Sequence, residues 1–216
     1  MLDHVLASLL LFGIPARAAL REREPSAFEP AVSRRYATTV CVILILLALL
    51  ALDWRIAGRN IMALGLARPM STPALTGVAI AALVLVASAG LTWRSAVNGE
   101  IDPLDGIAPR TPGETRLYVA TAIAAGVGLE VLYRGYLLFY LTPRVGIVAG
   151  VILSSIAYAA AHGVRDRRKL VASGGSALAF MLGYALTGNL WWLIVVHVTL
   201  PLLPLATARP HTAGHG

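Results

Sequence analysis

Four ionisable side chains stand where an apolar chain has little reason to keep them. Glu130 and Arg134 lie one helical turn apart inside the apolar stretch 117–141. His162 closes a second stretch, 145–161, and His197 sits within a third, 190–206. A charged group at bilayer depth costs about 2.5–3.5 kcal/mol on insertion scales, so such residues are rare and mark functional sites. Glu130 and Arg134, at i and i+4, share a helix face and can pair. In hydrocarbon that pairing is close to obligatory, because an unpaired charge would neutralise or destabilise the fold. A carboxylate and two imidazoles on three separate segments are what water activation or metal ligation needs. His162 and His197 are the candidates for orienting a water, or for ligating a divalent metal such as zinc that carries one. Glu130 is the candidate acid–base or orienting carboxylate, and Arg134 the group that fixes it or stabilises charge. The competing reading of Glu130 and Arg134 is a self-satisfied ion pair, and that of His162 a hydrogen-bonded helix-end imidazole.

These residues can act together only if the segments that carry them pack side by side, and the composition says in what medium. The chain of 216 residues is 57% hydrophobic and 13% charged, with a mean hydropathy of +0.74. That predicts an all-α, polytopic transmembrane helix bundle of about seven spans rather than a soluble domain. The apolar stretches are 2–14, 36–52, 73–91, 117–141, 145–161, 170–186 and 190–206. The last six are long enough to cross a core of about 30 Å at about 1.5 Å per residue. The first is short for a span unless it continues through 16–20. It resembles a signal-peptide core, but Asp3 and His4 stand where a positive region would precede one, so it is expected to stay in the protein. No stretch alternates as a strand would, which leaves helices as the spanning structure. Pro143 with Arg144 is expected to form a tight turn, as is 187–189. The longest polar stretch, 92–116, carries Pro103, Pro109 and Pro112 as breakers. The bundle is expected to divide into N-terminal spans and loops (1–116), a motif-bearing core (117–206) and a disordered tail (207–216).

The stretch 128–137, with Leu129, Glu130, Arg134 and Gly135, resembles the first motif of the CPBP family. These are the CAAX-processing and bacteriocin-processing intramembrane proteases, which include the Ras-converting CAAX endopeptidase. That motif reads Glu-Glu-x-x-x-Arg, commonly followed by Gly. Tyr158 and His162, three residues between them, are similar to the second motif, with Tyr where Phe is usual. His197 occupies the place of the third motif, a His four residues before Asn or Asp. The resemblance covers about 117–201. It implies an endopeptidase that cuts a membrane-associated peptide, with Glu130, Arg134, His162 and His197 as its site. Two positions depart from the pattern. Leu129 stands where the family has its first Glu, the residue held, with the His of the second motif, to activate the attacking water. Pro201 stands where the family has Asn or Asp. Positions 129 and 130 are about 100° apart on an α-helix, so Glu130 cannot act from the same place. The departures set a second reading beside the first: a catalytically inactive relative serving as a membrane binding or scaffold protein. A third, a small proton-coupled transporter with Glu130 and His197 as relay, lacks the internal repeat such folds show.

Charge and minor residues complete the expectations. Loops that alternate between two sides carry 13 cationic residues on one side and four on the other. The positive-inside rule then puts the C-terminus in the cytoplasm and the N-terminus outside, for a protein of the bacterial plasma membrane. The basic residues are topology and lipid-headgroup charges. No basic stretch is interleaved with aromatics, so no nucleic-acid partner is expected. The expected partners are membrane lipids and a membrane-associated peptide or protein. Cys41, the single cysteine, excludes an intrachain disulfide and a Cys-based zinc cluster, and is expected to be packed in a helix. Ser154 and Ser155 are expected to bond their own backbone. Trp191 and Trp192 are expected at an interfacial aromatic belt.

Overall fold

A computed structural model describes residues 1–21, 32–98, 109 and 111–207. The expected disordered tail, with His211 and His215, falls on 208–216 and lies outside the described residues, as does the middle of the polar stretch 92–116. Among the described residues every regular element is helical. We number the helices α1 (2–21), α2 (Val32–Ile56), α3 (Thr72–Asn98), α4 (112–145), α5 (147–161), α6 (Arg167–Thr187) and α7 (191–207). Among the described residues five helical runs are long and apolar enough to cross a membrane: Leu2–Leu20, Val32–Ile56, Thr72–Asn98, Pro112–Ala161 and Leu170–Thr187. The shorter Trp191–Ala206 is also apolar. The first stretch does continue through 16–20, as its length required.

The run Pro112–Ala161 holds 50 residues, twice what a membrane needs, and it is a hairpin. Gly146 has φ 80° and ψ 162°, a conformation open to glycine. Beyond it, Ser154 Oγ donates to the Tyr133 carbonyl at 2.9 Å. Twenty-one residues along a straight helix would span about 31 Å, so the chain must have doubled back. The reversal therefore lies at Gly146, and not at Pro143 and Arg144 as expected. Pro143 remains in the last turn of α4, where it takes the usual i+4 donor from the Phe139 carbonyl alone. On either side of that carbonyl, Thr142 Oγ1 donates to Leu138 O at 2.7 Å and Arg144 Nη1 to Tyr140 O at 2.5 Å.

With the hairpin counted as two, seven helical segments pass up and down. One end gathers Asp3, Asp53 and Arg59, and holds Ala67 against Asn189. The other brings Arg17, Arg34, Arg35 and His162 around one cavity, and Tyr118 against Pro201. A single apolar core runs from Leu6 and Leu10 through Leu50, Leu132 and Tyr136 to Met181, Leu193 and Val196. Many large apolar side chains face outward instead, among them Leu83, Val86, Val148, Ile156 and Leu186. That distribution suits a lipid surround and would be a large aggregating patch in water.

Glycines set how closely the helices approach. A Cβ on Gly77 or Gly183 would meet the Trp192 indole at 2.5 and 2.7 Å, so Trp192 wedges between α3 and α6. It is buried and its Nε1 donates to Thr187 Oγ1 at 3.1 Å. The interfacial-belt expectation is therefore corrected for Trp192. Trp191 stays exposed, with Nε1 donating to Leu66 O at 3.1 Å. Cys41, expected to be packed, is exposed on α2.

Candidate functional site

The site is built where α4 loses its α-helical winding. The stretch Glu130–Leu137 is π-helical, and all eight of its residues are buried. A π turn shifts the backbone hydrogen bonds by one residue, which strands a carbonyl and rotates the side chains that follow; such segments recur at functional sites. The Tyr133 carbonyl lies in this segment and is the acceptor of the Ser154 hydroxyl already described. Ser154 therefore stitches the α4–α5 hairpin instead of bonding its own helix. Ser155 does bond its own helix, donating to Val151 O at 2.8 Å.

Glu130 and Arg134 are almost wholly buried, at 0% and 1% exposure. Arg134 Nη1 is 3.4 Å from Glu130 Oε1, an ion-pair separation. The closer partner of that carboxylate is His197, whose Nδ1 lies 2.6 Å from Glu130 Oε1. His197 comes from α7, 67 residues further along the chain. It reaches α4 because Gly126, one turn before Glu130, has no side chain. A Cβ there would overlap Val198 Cγ2 and lie 2.8 Å from the Val198 backbone nitrogen. On another face, a Cβ on Gly128 would overlap Ile43, so α2 closes on α4 at the same level.

Tyr158 and His162, one turn apart on α5, complete the cluster. The Arg134 guanidinium lies over the Tyr158 ring at 4.0 Å and the Phe180 ring at 5.6 Å. Stacking of this kind stabilises a desolvated cation. The Tyr158 hydroxyl is 3.5 Å from His197 Nε2. His162 Nδ1 donates to the Tyr158 carbonyl at 2.9 Å, and the two rings stack with centroids 4.3 Å apart. Both histidines thus have Nδ1 tied to an oxygen acceptor, the arrangement that fixes the tautomer with a lone pair on Nε2. His162 is exposed and lines a cavity of about 430 Å³ together with Leu129, Tyr133, Ile43 and the rim residues Arg17 and Arg35.

Three buried polar atoms in the cluster have no hydrogen-bond partner: Glu130 Oε2, Arg134 Nε and Arg134 Nη1. Buried polar groups are almost always satisfied, so these three leave the cluster with unmet hydrogen-bonding capacity. A catalytic zinc takes three protein ligands. Among the described residues no three of His, Cys, Asp and Glu gather around one point. The two imidazoles alone fall short of that donor set.

All four residues expected from the sequence lie in one region, and three of them, Glu130, Arg134 and His197, are in direct contact. His162 joins them through Tyr158. Spacing along the chain carried no signal for the π-helical winding or the Glu130–His197 bond. Gly126 was visible as a glycine one turn before a buried Glu, and only the packing shows its use. Leu129 is half-buried and faces the cavity, on a different side from Glu130.

A polytopic helical protein of the membrane, with a Glu–Arg–His cluster enclosed at the centre of its bundle, is the class that fold and site define. Residues 111–203 match the family model described as Rce1-like, type II CAAX prenyl endopeptidase, and that segment contains the three motifs. No curated protein and no solved structure matches the chain.

Proposed function

We propose that this chain is an intramembrane endopeptidase of the CAAX type in which the Glu130–His197 pair activates water. The 2.6 Å bond between Glu130 Oε1 and His197 Nδ1 carries the proposal. A carboxylate that accepts Nδ1–H orients the ring, leaves the Nε2 lone pair as a base and stabilises the imidazolium that forms. Water gives a proton to Nε2 as its oxygen bonds to the peptide carbonyl carbon. The oxyanion so formed is the charge that Arg134, whose Nε–H has no hydrogen-bond acceptor, is suited to hold, in a buried site where such donors act strongly. When the C–N bond breaks, the Nε2 proton passes to the leaving amine. The cavity beside His162 is where a peptide would approach, and the free Nε2 of His162 would orient the peptide or the water. A metal bound there would supply a more acidic water.

The test is peptidase activity on lipidated and membrane-anchored peptides in detergent or vesicles. His197→Ala is expected to remove it, and His162→Ala to reduce it. Full activity in both variants would sink the proposal. A catalytically inactive relative is the second reading, favoured by Leu129. This leucine lines the same cavity wall as His162, so the cavity meets that imidazole without the carboxylate the family motif supplies. Leu129→Glu separates the two readings. Activity that arises only in this variant supports the inactive relative, and activity in the unaltered chain supports the enzyme.

A further inference from the structure

The Tyr158 hydroxyl distinguishes this chain from the motif it resembles, where the aromatic residue is usually Phe. Tyr158 is 6% exposed, and a buried phenol needs a hydrogen-bond partner for its hydroxyl. Its ring has little freedom to seek one. The Tyr133 ring meets it edge-on with centroids 5.4 Å apart, the His162 ring stacks at 4.3 Å, and the Arg134 guanidinium lies at 4.0 Å. Held in this way, the hydroxyl points at His197 Nε2, 3.5 Å away. On the far side of the imidazole, Nδ1 is fixed by Glu130. Pro201, where the motif has Asn or Asp, has no polar side chain, and its carbonyl is taken by the Tyr118 hydroxyl at 2.6 Å. The imidazole therefore has no third-motif partner, while a hydroxyl stands at its second nitrogen.

We infer that Tyr158 is a positioning residue for His197, its hydroxyl replacing the polar partner that Pro201 cannot provide. A phenol suits the task because it both donates and accepts. It donates to Nε2 in the resting site, yields that lone pair to the incoming water, and accepts from Nε2–H once the ring is protonated, so the ring is held before and after the proton arrives. The 3.5 Å separation is at the long end for such a bond, and contacts of this kind commonly tighten only when a substrate closes the site. Glu130 and Arg134 from α4 and His162 from α5 are the other charged or titratable groups around this imidazole. None of them is placed at Nε2 by a hydrogen bond in the structure. The inference rests on the protease reading only for its kinetic consequence, because the hydrogen bond itself can be observed without turnover.

Tyr158→Phe removes one oxygen and keeps the ring packing. With histidine labelled by ¹⁵N in detergent micelles, the Nε2 resonance of His197 is expected to move downfield in Tyr158→Phe, toward an unbonded acceptor nitrogen, while Nδ1 stays bonded. In the same variant kcat is expected to fall about five- to tenfold with KM unchanged, the size of one neutral hydrogen bond. An unchanged Nε2 resonance overturns the inference whatever the activity. A downfield shift in a protein with no peptidase activity upholds the positioning role and rejects the protease reading. Loss confined to KM would assign Tyr158 to substrate binding and also overturns the inference.

Discussion

At the level of single residues, the buried pair is held by mutual need. Glu130 and Arg134 are wholly enclosed, so removing one charge leaves the other without a counterion in a low-dielectric core. That typically costs about 3–5 kcal/mol, whereas replacing both by apolar or neutral groups of similar volume is often close to neutral. Arg134→Met and Glu130→Gln are each expected to lower the unfolding midpoint in detergent sharply. The double variant is expected to recover most of that loss while staying inactive. If the double variant is as unstable as the sum of the singles, the pair is not energetically coupled and the ion-pair assignment fails. The sequence showed part of this arrangement. The i, i+4 spacing revealed Arg134 as a partner and the motif resemblance put His197 in the same site, but a contact between residues 67 positions apart leaves no trace in local periodicity, so nothing marked His197 as the closer partner.

Helices were the most legible elements, because each apolar stretch states its own length. Their junctions and winding were not. Pro143 looked like a turn because proline ends most helices, yet it stands in the last turn of α4, where it removes a single backbone hydrogen bond, and the reversal waits for Gly146. The π-helical stretch of α4 follows from how α4 packs, and its residues carry no propensity that would announce it. Gly126 shows how an element-level requirement rests on one missing atom group. Gly126→Val would thrust methyl groups into the backbone of Val198, 2.8 Å from where the Cβ alone would sit. Backbone cannot yield as a side-chain tip can, so α7 must move away and take His197 with it. We expect this variant to keep its helical circular dichroism and lose peptidase activity. Retained activity would show that α7 does not need this approach to deliver His197.

Across the whole molecule, two ends of different character bracket the site. One is tied by Arg59, which donates to both oxygens of Asp3 at 2.8 and 2.5 Å and to Asp53 at 3.0 Å, and lies over the Trp54 ring at 5.1 Å. The Asp3 carboxylate beside it holds the Arg59 guanidinium above its usual range. Tyr136, from the π-helical stretch, donates to the Asp3 carbonyl at 2.6 Å, so α1 is anchored directly to the element that carries the site. Because this cluster is partly exposed, Arg59→Met is expected to lower stability by about 1 kcal/mol, measurable as a lower unfolding midpoint in detergent. The other end carries Arg17, Arg34, Arg35 and the basic stretch 165–169, and loops that end there hold 13 of the cationic residues against four at the first. An excess of Lys and Arg in short loops stays on the cytoplasmic side during insertion, so the basic end, with the cavity beside His162 and the last turn of α7, is expected to face the cytoplasm. Cys41 can be replaced to clear the background, and cysteines then placed one at a time at Val164, on the basic end, and at Met70, on the other; both positions are exposed. With a membrane-impermeant thiol reagent, Val164→Cys is expected to label only in inverted vesicles and Met70→Cys only in right-side-out ones. The opposite pattern would turn the bundle over, and with it the side from which a peptide enters the cavity. Labelling of both positions from the same side would break the count of seven crossings, because Met70 precedes α3 and Val164 follows α5, three crossings later.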